Sequence, residues 1–463
     1  MYPLSETGQL PRAPRSRRPV SSRRAVIDAT ITKPSQPSLP PRDSRFAAAM
    51  MPLLRAQAVN VNRHAAALRP FKREEFGTGD AAPSEGHLGA VNDLISTLRS
   101  DLLRVTRKVT EAVDKSAVEP TTTNLQRVVT HKERAHDWVR RIEQVWDFYF
   151  ELFGQRQSQF AEWLVSCDRI ALDCYQHTFL GLGVAKSIPA PPPFSYMRTG
   201  FSPATFRRGI PLRRLGRQLN PFPLIQLPYH RLVNPWTLGA ILHEVSHNLQ
   251  NELGLARVIP RNIARRLLAH GFPRSVAATW TRWNRETFAD LSGLLLGGPA
   301  VVASLIDVIG RSPATVTTYS SRGPHPTPWL RLFISTECLR RMGFPEEAKH
   351  YEKAWCRVYP NPRIGNFPPP LIETFREVIA LVVDTICFQP YTELGDKRLS
   401  EAIRFAPKEQ QMIEEAARRL AAGNDPGVVP ERFLIGASRY ALDNRLARPG
   451  VITENFYREL ARR

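Results

Sequence analysis

Residues 234–254 read NPWTLGAILHEVSHNLQNELG and contain signals for the start and the end of one helix. Asn234 is a residue type that often caps the start of a helix, and Pro235 suits the first helical position. Gly254 suits the end of a helix, because glycine readily adopts the left-handed backbone found there. These signals predict a helix over residues 235–253, with apolar residues at the spacing of a packed face.

The pentapeptide HEVSH lies in the middle of this predicted helix. His243 and His247 are four positions apart, so both imidazoles lie on one helical face and can reach a single zinc ion. Glu244 would then stand beside the metal and take a proton from its bound water. The pentapeptide alone also fits two ordinary surface histidines, and a catalytic zinc site needs a third protein ligand.

A candidate third ligand comes from the stretch NRETFADLSGLLLGG, residues 284–298. Glu286 and Asp290 are again four positions apart on one predicted helical face, and Glu286 would complete a His-His-Glu set. Asp290 would accept the second ring N–H of a zinc-bound histidine and so fix its tautomer and orientation. The small residues Ala289 and Gly293 would let the two helices approach closely.

HEVSH followed by ETFAD resembles the gluzincin metallopeptidases, in which a glutamate on a second helix is the third zinc ligand and a later aspartate supports a histidine. Here 38 residues lie between His247 and Glu286, a longer gap than in thermolysin-like and aminopeptidase-like members. The downstream stretch GPHPTPWLRL contains His325, Pro326 and Arg331. It resembles a motif of the peptidase group that includes the CAAX prenyl protease and the heat-shock membrane proteases.

The resemblance covers residues 222–331 and implies a zincin-like domain that hydrolyses peptide bonds with zinc. It implies that His325 donates a hydrogen bond to the tetrahedral oxyanion, with Tyr319 as the fallback donor. It also implies that Arg331 contacts substrate or the wall of the active site. Many members of that group have transmembrane helices, whereas no apolar run here reaches the roughly 18 to 20 residues that span a bilayer.

A short strand is predicted from FPLIQLP, residues 222–228. Proline cannot donate to a strand ladder, so the two prolines of this stretch would confine the strand to a sheet edge. An extended peptide substrate would pair with that edge. The candidate substrate-binding residues are therefore Leu224, Ile225 and Gln226.

The periodicity along the whole chain predicts a mainly α fold (α+β), in which a zincin-like domain with a small edge-exposed β-sheet is flanked by helical regions. Residues 1–88 are predicted to be a disordered basic leader and linker rich in Pro and Arg. The following segments are a helical region at 89–185, the catalytic core at 186–345 and a helical C-terminal region at 346–463.

The formal net charge of +21 draws attention to nucleic acid as a partner. The arginines beyond the leader are scattered among aromatic residues and carboxylates, without an RNA- or DNA-binding signature, so we expect no nucleic-acid partner. The five cysteines form no CxxC pair, which indicates buried thiols in a reducing compartment. We therefore expect a soluble cytoplasmic protein. The alternative is a secreted effector or cargo whose basic leader binds a delivery partner.

The sequence thus predicts a zinc metalloendopeptidase that acts on peptide or protein substrates. Zn²⁺ would be held by His243, His247 and Glu286, with Glu244 as general base. One alternative is a catalytically silent zincin-like protein that binds zinc or a partner, against which the intact Glu244 argues. A basic nucleic-acid-binding protein is the other alternative.

Overall fold

The computed structural model describes residues 44–183, 191–362 and 365–463. By its internal contacts the chain divides after residue 51, and residues 52–463 form one compact unit. Residues 1–43 of the predicted disordered leader and linker lie outside the described residues.

The first part of the described chain consists of long helices. They are α1 (Ser44–Ala67), α2 (Glu85–Val118), α3 (Thr122–Gly154) and α4 (Ala161–Leu182). The hydroxyl of Ser84 accepts a hydrogen bond from the backbone N–H of His87 at the start of α2, and Thr121 caps α3 in the same way. The helical region predicted at 89–185 is formed by α2, α3 and α4.

Residues 52–88 differ from the predicted disordered linker, because they pack onto the helices that follow. Val61 of α1 is fully buried, and Phe71 and Phe76 are only 5% and 1% exposed. The ring of Phe71 lies 5.3 Å from that of Trp146 on α3. The apolar side chains of this segment thus bury themselves against the aromatic face of α3, which offsets the cost of ordering the chain.

Three short strands form a mixed sheet. They are β1 (Phe194–Met197), β2 (Ala204–Phe206) and β3 (Leu224–Leu227). β3 is the central strand, parallel to β1 and antiparallel to β2, so the prediction that Leu224, Ile225 and Gln226 form a sheet edge is wrong. Pro223 and Pro228 lie just outside β3 and therefore remove no hydrogen bond from its ladder. β1 and β2 are the two edge strands of this sheet.

The helices around the predicted site follow the sheet. They are α5 (Tyr229–Val233), α6 (Gly239–Glu252), α7 (Leu255–Ala269), α8 (Arg274–Gly297), α9 (Pro299–Ile309), α10 (Pro313–Thr317) and α11 (Pro328–Arg341). The helix that carries HEVSH begins later than predicted, at Gly239, because Pro235–Thr237 form a separate 3₁₀ turn. Asn234 does not cap it, since its side-chain amide donates to the carbonyl of His230 at 2.7 Å. The predicted end is confirmed by the left-handed backbone of Gly254, with φ of 76°.

The small residues between α6 and α8 allow a close crossing of the two helices. A Cβ atom on Gly293 of α8 would lie 3.3 Å from the backbone nitrogen of His243 on α6, a tight contact for any larger residue. On its other side, α6 is tied to the sheet, since Asn248 donates to Oγ1 of Thr205 in β2 at 3.1 Å. The helix that carries HEVSH therefore lies between α8 and the edge strand β2.

The C-terminal part of the chain is again mainly helical. Its elements are α12 (Pro345–Val358), α13 (Pro369–Val383), β4 (Pro390–Tyr391), β5 (Lys397–Arg398), α14 (Leu399–Ala402), α15 (Pro407–Ala421), α16 (Phe433–Asp443) and α17 (Pro449–Arg462). Proline opens α12, α13, α15 and α17, where its missing N–H has no partner to lose. One cluster of buried apolar residues extends from Leu164 in α4 to Leu460 in α17, so the predicted catalytic and C-terminal regions share a core.

These elements confirm the predicted fold class, a mainly α fold with a small β-sheet. Within residues 44–183, 191–362 and 365–463, no helix combines the length and the apolar character needed to cross a membrane. The crossing of α6 and α8 beside β2 is the part of the fold that positions the predicted site.

Candidate metal centre

Three side chains from two helices converge at the crossing of α6 and α8. The candidate ligand atoms of His243, His247 and Glu286 all lie within 4.8 Å of one another. Nε2 of His243 is 3.5 Å from Oε2 of Glu286, and Nε2 of His247 is 3.6 Å from Oε1 of the same carboxylate. Two ligand atoms that each lie about 2.0–2.1 Å from a tetrahedral zinc ion are about 3.4 Å apart. The two observed distances are therefore close to those of a shared zinc ion.

The imidazole of His243 contacts Asp290, which forms a buried ion pair with Arg331. Its Nδ1 lies 2.9 Å from Oδ1 of Asp290, the contact that the spacing of Glu286 and Asp290 predicted for one of the histidines. Arg331 donates to both oxygens of Asp290, from Nε at 2.8 Å and from Nη2 at 2.7 Å. The Asp290 carboxylate thus keeps the Nδ1 proton in place and turns Nε2 toward Glu286.

The charges in this cluster create a site suited to a cation. Burial opposes ionisation of Glu286, but hydrogen bonds from His243 and His325 hold the pKa of its carboxyl well below its usual range. Burial likewise opposes ionisation of Asp290, and the charge of Arg331 nevertheless lowers its pKa to about 2. Both carboxylates are therefore ionised at neutral pH, and they stabilise positive charge between the two imidazoles.

The two histidines experience opposite environments. Burial lowers the pKa of His243, but hydrogen bonds to Asp290 and Glu286 raise it to about 10 overall. Burial and the neighbouring charge of His243 lower the pKa of His247 to about 3, so this imidazole is neutral. Within the described residues, Nδ1 of His247 is buried and has no hydrogen-bond partner, whereas its Nε2 faces Glu286. Binding of a metal ion to Nε2 of His243 requires that this imidazolium release its Nε2 proton.

Glu244 points into the cavity beside these residues. Its side chain is among those that line a cavity of about 420 Å³ together with His243, His247 and Glu286. Burial raises the pKa of its carboxyl to about 7, which is the range in which a carboxyl group exchanges protons at neutral pH. Arg331 also lines this cavity, so it lies in the wall, one of the two locations implied by the family resemblance.

The remaining predicted residues are distributed unequally around the cavity. His325 lines it, and its Nε2 lies 3.1 Å from Oε2 of Glu286 while its side chain is 58% exposed. The hydroxyl of Tyr319 lies 3.5 Å from Oγ1 of Thr279, and Tyr319 is not among the described residues that line the cavity. Leu224 and Ile225 are fully buried and, like Gln226, are also outside that lining.

The structure adds site residues that the sequence pattern missed. Ala204 and Thr205 of the edge strand β2 line the cavity. The sequence did not predict this strand because its three residues, ATF, are too few to show the alternation typical of a strand. Arg282 and Arg285 of α8 line the cavity as well. Arg282 is four positions before Glu286, so extending the predicted helix by one turn toward the N-terminus would have placed Arg282 on the same helical face as Glu286.

The geometry fits a divalent metal ion, with two imidazoles and a carboxylate on one side of a cavity, a carboxylate that orients one imidazole, and a further carboxyl group beside them. Comparison of the chain with protein-family models, curated proteins and solved structures found no match. Any function assigned to the site therefore rests on the residues of this chain and their arrangement.

Proposed function

We propose that this chain is a zinc-dependent metalloendopeptidase of the gluzincin type, which hydrolyses peptide bonds in the cavity between α6, α8 and β2. The observation that carries the proposal is the convergence of His243, His247 and Glu286 within 4.8 Å, with the Glu244 carboxyl in the same cavity. Two unrelated surface histidines would not be expected to contact the same carboxylate on a second helix, as His243 and His247 both contact Glu286.

In this proposal His243, His247 and Glu286 hold Zn²⁺. When bound, zinc supplies Lewis acidity toward the substrate carbonyl and lowers the pKa of water. Glu244 accepts the proton of the attacking water at its carboxylate and later donates it to the nitrogen of the leaving amine. Asp290 keeps the proton on Nδ1 of His243, and this contact fixes the direction of the ligand nitrogen.

Substrate positioning in this proposal falls to β2 and to His325. β2 is the edge strand beside the cavity, so an extended peptide can pair with its backbone and present the scissile bond. His325 is largely exposed and contacts Glu286 through Nε2. Its ring can turn from that carboxylate toward the carbonyl oxygen of the substrate and stabilise the developing negative charge.

A pair of substitutions tests this proposal. Glu244→Gln keeps the shape of the side chain but removes its ability to accept a proton. We therefore expect full zinc content and loss of peptide cleavage by a factor of about 100 or more. Glu286→Ala removes a ligand, so we expect loss of zinc as well as of cleavage. Elemental analysis gives the zinc content, and mass spectrometry of a digested peptide library gives the cleavage.

Glu373→Gln is the matched control, because Glu373 is an exposed glutamate on α13. It should leave both zinc content and cleavage unchanged. Full cleavage by Glu244→Gln would refute the role of the base. Tight zinc binding by the wild-type chain without cleavage of any library peptide would favour the catalytically silent zincin-like protein instead.

A further inference from the structure

One end of the cavity carries a group of arginines. Arg282 and Arg285 of α8 line the cavity, and Arg207 directly follows the edge strand β2. Burial and the positive charge of Arg285 lower the pKa of the Arg207 guanidinium, so Arg207 adds to the positive charge beside the cavity, although it is not among the described residues that line it. We call Arg207, Arg282 and Arg285 the basic end of the cavity.

The basic end has no acidic partner within the part of the chain that the structure describes. Arg282 donates from Nε to the carbonyl of Gly323 at 3.2 Å and from Nη2 to the hydroxyl of Tyr319 at 3.5 Å, both neutral groups. Neither Arg207 nor Arg285 forms a described ion pair, and Arg285 is exposed. Arg331, which lines the same cavity, differs from them because it pairs with Asp290.

The charge of the metal centre does not neutralise these arginines once an ion is bound. The carboxylates of Glu244, Glu286 and Asp290 together with the guanidinium of Arg331 carry a net charge of −2 when ionised. A divalent cation cancels that charge. The three guanidinium groups of the basic end then remain as uncompensated positive charge at the cavity, where the low-dielectric walls strengthen their field.

Along α8, Arg282 and Arg285 precede Glu286, whereas Leu294 follows it by about two turns. The apolar residues of the lining include Leu294 with Ala240 of α6 and Val301, Val302 and Leu305 of α9. These side chains offer no hydrogen bond, so they favour an aliphatic or aromatic side chain of a substrate. The cavity therefore has two chemically different ends, with the metal ligands and the edge strand β2 along it.

We infer that the substrate is a peptide with an Asp or Glu residue close to an apolar residue, the carboxylate held at the basic end by Arg285 with Arg207 and Arg282. This inference deepens the proposed function and rests on it for the cleavage step. The carboxylate would form charge-assisted hydrogen bonds with the guanidinium groups. A lysine or arginine at the same substrate position would be repelled, so the basic end also excludes basic peptides.

Arg285 is the best position for a test, because it is exposed and forms no described hydrogen bond or ion pair. Arg285→Ala should therefore leave folding and zinc content intact. We expect it to lower kcat/KM about tenfold for peptides with Glu near the cleaved bond, with little change for the same peptides carrying Gln. Arg285→Glu should reverse the preference toward Lys. Arg265→Glu, on the exposed face of α7, is the matched control and should change neither.

Two measurements make the test. Cleavage of a peptide library by the zinc-loaded chain and its Arg285 variants gives the residue preference around the cut. Binding is measured with the Glu244→Gln variant and two fluorescein-labelled decapeptides that differ only in a central Glu-Leu or Gln-Leu pair. We expect the Glu peptide to bind more tightly than the Gln peptide, and its affinity to fall as the salt concentration is raised. Adding Arg285→Ala should make the two affinities equal.

The outcomes separate the inference from the proposed function. Cleavage with equal preference for Glu and Gln peptides, in the wild type and in Arg285→Ala, overturns the inference and leaves the peptidase intact. Absence of cleavage together with Arg285-dependent binding of the Glu peptide overturns the peptidase and supports the basic end as an acidic-peptide site. Equal binding of both labelled peptides at every salt concentration overturns the inference whatever the cleavage result.

Discussion

The ion pair between Asp290 and Arg331 is expected to support both the fold and the metal ligands. The side chains are only 2% and 10% exposed, and two short hydrogen bonds join them. Asp290→Ala leaves the guanidinium buried without its carboxylate partner and should lower the free energy of unfolding by about 3–5 kcal/mol. Arg331→Met should lower it by less, because the protonated imidazole of His243 still pairs with Asp290. The double variant removes both charges, so its loss should be smaller than the sum of the two by about 2 kcal/mol or more.

The same variants should affect zinc in a different pattern. Asp290 is also the partner of His243 Nδ1, at 2.9 Å, and loss of such a partner weakens metal binding by about 10- to 100-fold. We expect this weakening in Asp290→Ala and in the double variant. Arg331→Met should have a smaller effect, because Asp290 still accepts from His243. Urea denaturation in the presence of a chelator gives the unfolding free energies, and competition with a chelating dye gives the zinc affinities.

The exposed pair formed by Glu415 and Arg419 on α15 is the matched control for this cycle. Both side chains are more than half exposed, so their coupling should be indistinguishable from zero. Additive losses at Asp290 and Arg331 would refute the argument that each charge is needed to compensate the other. Unchanged zinc affinity in Asp290→Ala would refute the argument that this carboxylate orients the ligand.

Two further predictions concern the frame around the site. Burial lowers the pKa of His87 from 6.5 to about 4, so between these values the unfolded chain binds more protons than the folded one. This group should lower the free energy of unfolding, measured by urea denaturation, by up to about 3 kcal/mol from pH 7 to pH 4. His87→Gln should therefore reduce the slope of unfolding free energy against pH, and equal slopes in the variant and the wild type would contradict the prediction. A Cβ on Gly181 would lie 1.8 Å from the carbonyl oxygen of Ala402, whereas one on Gly89 would meet nothing within 4 Å. Thermal melts should therefore show that Gly181→Ala destabilises the fold by about 2 kcal/mol or more, whereas Gly89→Ala stabilises it by about 0.5–1 kcal/mol. Melting temperatures that change in the same direction in both variants would contradict the close packing at Gly181.

Local sequence signals predicted the parts of the site that depend on helical spacing. His243 and His247 share a face because they are four positions apart, and the same holds for Glu286 and Asp290. Gly254 ended the helix as predicted, since a left-handed residue cannot continue it. The start of the helix was predicted wrongly, because Asn234 uses its side chain on the carbonyl of His230 rather than as a cap.

Features that depend on partners distant in the chain could not be predicted in this way. The order of three short strands depends on pairing between segments separated by loops, and this pairing places β3 at the centre and β2 at the edge. The packing of Phe71 on Trp146 likewise turned a segment that reads as a linker into part of the core.

Residue types and helical periodicity, which can be read along the chain, place two imidazoles on one helical face and two carboxylates on another. That these faces meet follows from the fold, in which Nε2 of His243 and Nε2 of His247 each face one oxygen of the Glu286 carboxylate. The fold also pairs Arg331 with Asp290, while Arg285 faces the cavity without an acidic partner among the described residues. The physical reason is that helical spacing is set by the local backbone, whereas the crossing of α6 and α8 and the choice of ion-pair partners depend on packing across the whole core.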